Sequence, residues 1–204
     1  MVYCVGLTGT VASGKSTAAA YFSSVGITII NTDTLAKELA LNGQPAFDEI
    51  KKHFGTSILT ADGELNRPAL RKRITQNSHE RQWLESCLHP RIRQAISEAI
   101  LHVKSPYCII EIPLLTQRTD YPYLNRVLLI ESTRERQTKR IMQRDSCTRM
   151  EAEALLGTQP HRTTHRSLAD DRVTNNRSPQ DFILKLTHLH QQYLTDQLSE
   201  KLAC

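Results

Sequence analysis

The sequence predicts an α/β fold: a mostly parallel sheet of about five strands flanked by helices, with two helical excursions leaving the core. Three observations carry this reading. An apolar run over 2–8 leads through Gly9-Thr-Val-Ala-Ser-Gly14-Lys15-Ser16 into an alanine-rich helix over 16–24. A second apolar run, ITIINTD over 27–33, follows directly, so strand, helix and strand form one βαβ unit whose strands lie parallel by the right-handed crossover rule. Two further β-branched runs, YCIIEI (107–112) and RVLLIE (126–131), return after a long helical interval.

Each element has a local reason. Gly26 follows the first helix where a left-handed stop is usual. From 34 to 104 the apolar spacing is helical, in AFDEIKKHFG, RPALRKRITQ, ERQWLESCLH and PRIRQAISEAILHVK, punctuated by Gly, Asn or Pro. Asp33 is expected at the carboxyl end of the second strand, on the sheet edge where ligands of such folds bind. Pro113 and the polar stretch to Asn125 separate the third and fourth strands. A basic helical stretch over 133–159, a short strand at 172–174 and a final helix over about 179–198 complete the chain. The expected partition is a core of 1–33, 107–132 and 169–204, a helical excursion over 34–106 and a second over 133–168.

The 204 residues suit one domain, and 39% hydrophobic with 23% charged residues argues against disorder. A net charge of +5 favours an anionic partner without choosing among nucleic acid, membrane surface and a phosphorylated small molecule. Five scattered cysteines with no C-x-x-C pair give neither a disulfide framework nor a zinc spacing. The start lacks a basic leader, and no apolar run approaches the roughly 20 residues of a membrane helix, so a cytoplasmic protein without membrane partners is expected.

The glycine-framed loop satisfies the G-x-x-x-x-G-K-[ST] spacing between a strand and a helix. Its backbone N–H groups and the positive helix end would cradle a polyphosphate, Lys15 would neutralise the outer phosphates, and Ser16 would offer its hydroxyl to Mg²⁺. Many such loops carry extra glycines where this one has Thr10 and Ala12, and a right-handed backbone is expected at Ala12 because alanine resists the left-handed one.

Asp33 would orient an acceptor hydroxyl and take its proton; a helix-opening aspartate before TLAKEL is the plainer reading, and both can hold. Arg136, Arg140 and Arg144 recur at i, i+4, and guanidinium matches phosphate bidentately, so Arg140 and Arg144 are expected to cover the transferred group. Glu131, Glu135 and Asp145 are available to pair with part of that basic face. Glu111 ends a strand as a water- and Mg²⁺-holding acid would. Trp83 reads as core of the helical excursion rather than a stacking platform.

With the loop, Asp33, LNRPALRKRI, WLESCLHPRI, IPLL, RERQTKRIMQRD and LADDRVTNN together, nearly the whole chain resembles the dephospho-coenzyme A kinase family. That resemblance implies a P-loop kinase core and transfer of the γ-phosphoryl of ATP to the ribose 3′-hydroxyl of dephospho-CoA, with Mg²⁺. It also implies a substrate-binding helical part within 34–106 and a lid over 133–168. By the same carry-over Thr8, Gly9, Thr10, Val11, Ala12, Ser13, Gly14, Lys15, Ser16 and Thr17 hold the nucleotide phosphates and Asn175 lies near the adenine. Asp33 is the base, Arg140 and Arg144 belong to the lid, and His89, Arg93, Pro113 and Leu114 line the acceptor site. The chain departs from the family where Asn31-Thr32-Asp33 stands for Asp-Ala-Asp, and where Thr116-Gln117 stands near a usual glutamate. A nucleoside monophosphate kinase is the nearest rival. A P-loop switch or nucleic-acid-binding NTPase is disfavoured, since there is no N-K-x-D sequence and no clustered aromatic and basic motif.

Overall fold

Every residue of β1 (Tyr3–Thr8) is buried, as its uninterrupted apolar run requires of a strand covered on both faces. In the computed structural model, which describes residues 2–113, 115–158 and 166–203, β1 is the central strand of a five-stranded sheet. The strand order is β2-β3-β1-β4-β5, with β2 Thr28–Asn31, β3 Tyr107–Glu111, β4 Arg126–Glu131 and β5 Asp171–Thr174. All four pairings are parallel. The registers Leu7↔Glu111 and Asn31↔Glu111 bring the carboxyl ends of β1, β2 and β3 to one edge.

The chain divides into two compact units, Met1–Asn31 with Ala99–Cys204, and Thr32–Glu98. In the first, α1 (Lys15–Ser24) and α8 (Pro179–Ala203) cover one sheet face. Phe22 meets Tyr107 edge-on at 6.4 Å between ring centroids, and Tyr107 meets Tyr193 edge-on at 5.6 Å. Such pairs add about 1 kcal/mol each beyond the area they bury. The buried Tyr193 hydroxyl donates to Asp171, which also takes a bidentate pair from Arg126 at 2.8 and 2.9 Å. The amino-terminal ends of β4 and β5 are thereby tied to α8.

His190 sets a pH-dependent element in the same core. Its Nδ1 lies 2.7 Å from the Tyr107 hydroxyl, and burial lowers its pKa below the ordinary imidazole value. The unfolded chain therefore takes up this proton first; the contribution to stability is full above about pH 6.5 and is lost as pH falls through the lower folded value. A His190→Gln variant is expected to flatten the fall of Tm below about pH 6.5, measured by scanning calorimetry against the parent. Parallel Tm curves would refute it.

The second unit contains α2 (Thr32–Leu39), α3 (Pro45–Phe54), α4 (Arg67–Gln76) and most of α5 (Ser78–Leu101) around Phe47, Ile50, Phe54, Leu70 and Leu84. Proline at the first turn starts α3 and Gly55, at φ 77°, ends it. The Asn66 side chain caps α4 by accepting from the Ala69 amide at 3.0 Å. Trp83 stacks on His53 at 3.7 Å and packs against the unit's core, in keeping with the sequence reading.

Two local expectations change. Pro90 does not divide two helices but lies inside α5. Next to it Arg91 donates to the Cys87 carbonyl at 2.6 Å and to Glu49 at 2.6 Å, supplying side-chain bonds in the turn that proline weakens. Asp33 is not a strand residue either: β2 stops at Asn31 and Asp33 occupies the first turn of α2, where its charge suits the helix dipole.

Candidate active site

The loop between β1 and α1 owes its shape to its glycines and to contacts from outside. Gly9 and Gly14 have φ of 150° and 112°, and a Cβ on Gly9 would overlap the Ile130 carbonyl oxygen while one on Gly14 would overlap the Asn175 amide nitrogen. The Gly9 contact is a close backbone approach, and at Gly14 the Asn175 side chain and the positive φ together favour glycine. Helix α1 begins directly after Gly14 and carries no acidic residue in its first turn, which leaves its positive end to an anion. The Lys15 ammonium donates to the Gly9 carbonyl at 3.0 Å, folding its side chain back over the loop.

Two hydroxyls in the loop point to a ligand. Thr8 and Ser13 are 0% and 1% exposed, yet Thr8 Oγ1 and Ser13 Oγ have no hydrogen-bond partner among the described residues. Leaving such donors unsatisfied costs about 1–3 kcal/mol apiece, a deficit that anionic oxygens or water in the loop would offset.

Ala12 corrects the sequence expectation: its φ is +56°, in the left-handed region. That conformation costs alanine about 1–2 kcal/mol. The surroundings compensate. Arg140, on α6 (Arg134–Asp145), donates to the Ala12 and Ser13 carbonyls at 3.0 and 3.2 Å, and the Asn175 amide donates to Ser13 at 3.0 Å. Gln137, one turn earlier on α6, donates to the Thr10 hydroxyl and to the Val11 carbonyl, both at 2.7 Å. Val11 and Ala12 also pack on Ile141, Ala152 and Leu156 of α6 and α7 (Arg149–Gly157).

The adjoining strand ends supply carboxylate chemistry. The core residues Leu7, Ile109 and Ile29 face α1, so by alternation Glu111 and Asn31 face the same side, at the edge where α1 begins. The Asn31 amide donates to Glu111 at 2.6 Å. An aspartate at 31 would set two carboxylates against each other, so the departure at this position pairs a donor with the acid. Among the described residues no three His, Cys, Asp or Glu side chains converge as an all-protein metal cage.

Comparison with known proteins decides among phosphate-loop folds. The dephospho-CoA kinase family model matches residues 3–181. The chain belongs to the dephospho-CoA kinase family. A dephospho-CoA kinase of Legionella pneumophila (strain Paris) is 47% identical over 196 residues, covering 96% of this chain and 98% of that protein. The solved dephospho-CoA kinase of Campylobacter jejuni is similar with a TM-score of 0.72 at 28% identity, covering 96% and 99% of the two chains. The crystal structure of TT1252 from Thermus thermophilus has a TM-score of 0.80 at 26% identity, covering 94% and 96%.

Within this family frame, the site residues expected from sequence separate by unit. The phosphate loop, Arg140, Arg144 and Asn175 belong to the first unit; Asp33, His89 and Arg93 belong to the second. Asp33 follows two residues after Asn31, the end of β2. His89 and Arg93 share a face of α5 at i, i+4 spacing. Pro113 lies two residues beyond the end of β3, after Ile112, while Leu114 lies outside the described residues. Ser16 and Thr17 are exposed in the first turn of α1.

The arginines differ from one another. Arg140 spends its donors on the loop, Ser132 and the Asn175 carbonyl, and burial, then the nearby Arg136 charge, lowers its pKa below the usual guanidinium value. Arg144 is 56% exposed and holds Asp145 at 2.7 Å, which raises its pKa. Of the expected acidic partners, Glu135 pairs with Lys139 and Asp145 with Arg144, but Glu131 pairs with Arg166. Sequence reasoning missed Gln137; its only signal was an uncharged polar residue amid the charges of RERQTKR.

Proposed function

We propose that the chain transfers the γ-phosphoryl group of ATP to the ribose 3′-hydroxyl of dephospho-CoA, yielding coenzyme A and ADP. The observation that carries this reading is the phosphate loop at the carboxyl edge of β1, with two buried hydroxyls that have no partner among the described residues, in a chain of the dephospho-CoA kinase family. The loop amides and Lys15 bind the β- and γ-phosphates. Asp33 accepts the hydroxyl proton as the acceptor oxygen bonds to the γ-phosphorus and the bond to the bridging oxygen breaks. Arg140 holds the loop in shape. Arg144 acts as the mobile cation, because its exposed pair with Asp145 exchanges readily for a more highly charged phosphate.

A hard divalent cation fits the donors present, which are the exposed Ser16 hydroxyl and the Glu111 carboxylate held by Asn31. With few protein oxygens available, phosphate and water oxygens would supply the remaining ligands, as suits Mg²⁺. When bound, Mg²⁺ neutralises charge building on the β- and γ-phosphates. His89, Arg93 and Pro113 contribute to acceptor binding in this reading.

An acceptor panel tests it. The purified protein with Mg·ATP and dephospho-CoA, AMP, CMP or adenosine is expected to give a phosphorylated product by mass spectrometry efficiently only from dephospho-CoA, and none after EDTA. Equal turnover of AMP or CMP would instead establish a nucleoside monophosphate kinase.

A further inference from the structure

We infer that Gln137 is a positioning residue for the nucleotide: its side-chain amide holds the Thr10–Val11 segment so that the loop turns its N–H groups, not its carbonyls, toward the phosphates. Gln137 is 3% exposed, and its Nε2 donates at 2.7 Å to both Thr10 Oγ1 and the Val11 carbonyl. An amide NH₂ has two hydrogens, and each has an acceptor here. Both acceptors are loop atoms, whereas Gln137 itself belongs to α6, far along the chain.

The peptide linking Val11 to Ala12 is where the loop is vulnerable. Rotation of that peptide would put the Val11 carbonyl on the inner side in place of the Ala12 N–H, presenting a negative dipole to an anion. In the observed state the Val11 carbonyl is held by Gln137 and the Ala12 carbonyl by Arg140, on either side of the left-handed residue. The substitutions that distinguish this loop from a glycine-richer one are part of the same contact. Thr10 supplies the hydroxyl that Gln137 grips, and Ala12 lies against the apolar cluster of α6 and α7. Helix α6 therefore fixes the loop from behind through side-chain bonds to residues 10–13, with Gln137 holding the half that Arg140 does not reach.

The inference rests on the reading that the loop binds ATP, and the two fail differently. Gln137→Met keeps the length of the side chain and removes both donated bonds. Calorimetric titration with a non-hydrolysable ATP analogue and Mg²⁺ is expected to show binding weakened about tenfold or more, with KM for dephospho-CoA changed less than about twofold. Thr10→Val, which removes one acceptor without touching α6, is expected to weaken the analogue about threefold at unchanged Tm. In the double variant the Thr10 change should add nothing to the Gln137 change, because the bond it removes is already gone. Wild-type affinity in Gln137→Met, or losses that multiply independently in the double variant, would overturn the inference. If Gln137→Met does not fold, Thr10→Val decides alone: weaker analogue binding supports the clamp and unchanged binding overturns it. A parent protein that binds no analogue would instead refute the ATP reading.

Discussion

Asp33→Asn is expected to lower kcat by about 10²-fold or more while leaving the affinity for an ATP analogue close to that of the parent. The amide keeps the shape of the carboxylate and an oxygen that can still accept a hydrogen bond, so the acceptor hydroxyl can still be oriented. It loses the capacity to take the proton as the oxygen bonds to phosphorus. It also loses a negative charge from the first turn of α2, which is worth only about 0.3–1 kcal/mol to the helix. Stability and catalysis thus separate: a modest change in Tm accompanies a large change in kcat. Single-turnover rates with dephospho-CoA check this directly. Parent-like rates would remove Asp33 from the chemistry and return it to the role of a helix-opening residue.

Much of this arrangement was legible in the residues because it is encoded locally. Strand β4 and helix α4 coincide with RVLLIE and RPALRKRITQ, the first marked by a continuous apolar run and the second by an asparagine cap and a proline at its start. The phosphate loop was readable because its glycines answer to close contacts that any other residue would violate. What escaped depends on partners distant in sequence. ITIINTD continues to look like a strand through Asp33, but the ladder with β3 runs only to Asn31, and beyond it the chain turns into helix. Pro90 is a helix breaker in isolation and is tolerated where Arg91 and Glu49 supply other bonds. Ala12 avoids the left-handed region by its own preference and is held there by Arg140 and the α6–α7 cluster. The Asn31–Glu111 pair joins residues from two strands, so the exchange of an aspartate for asparagine has a visible physical partner only once the register is known.

The loop's tolerance to a single methyl group separates steric from conformational effects. Gly9→Ala places a Cβ into the Ile130 carbonyl oxygen and 2.9 Å from Ser13 Oγ, at a φ of +150° that alanine avoids. The Ile130 carbonyl belongs to β4, between β1 and β5 in the sheet, so it cannot retreat without disturbing the ladder. The expected loss is roughly 3 kcal/mol or more in denaturant unfolding, together with loss of ATP-analogue binding as the loop is pushed off the strand. Gly26→Ala is the informative comparison: its φ is +84°, but nothing lies within 4 Å of the added Cβ. It should carry only the left-handed penalty of about 1–2 kcal/mol, with parent-like analogue binding. If Gly9→Ala were no more destabilising than Gly26→Ala and still bound the analogue, backbone conformation alone would account for both glycines. The tight approach of the phosphate loop to β4 would then be irrelevant to its hold on the nucleotide.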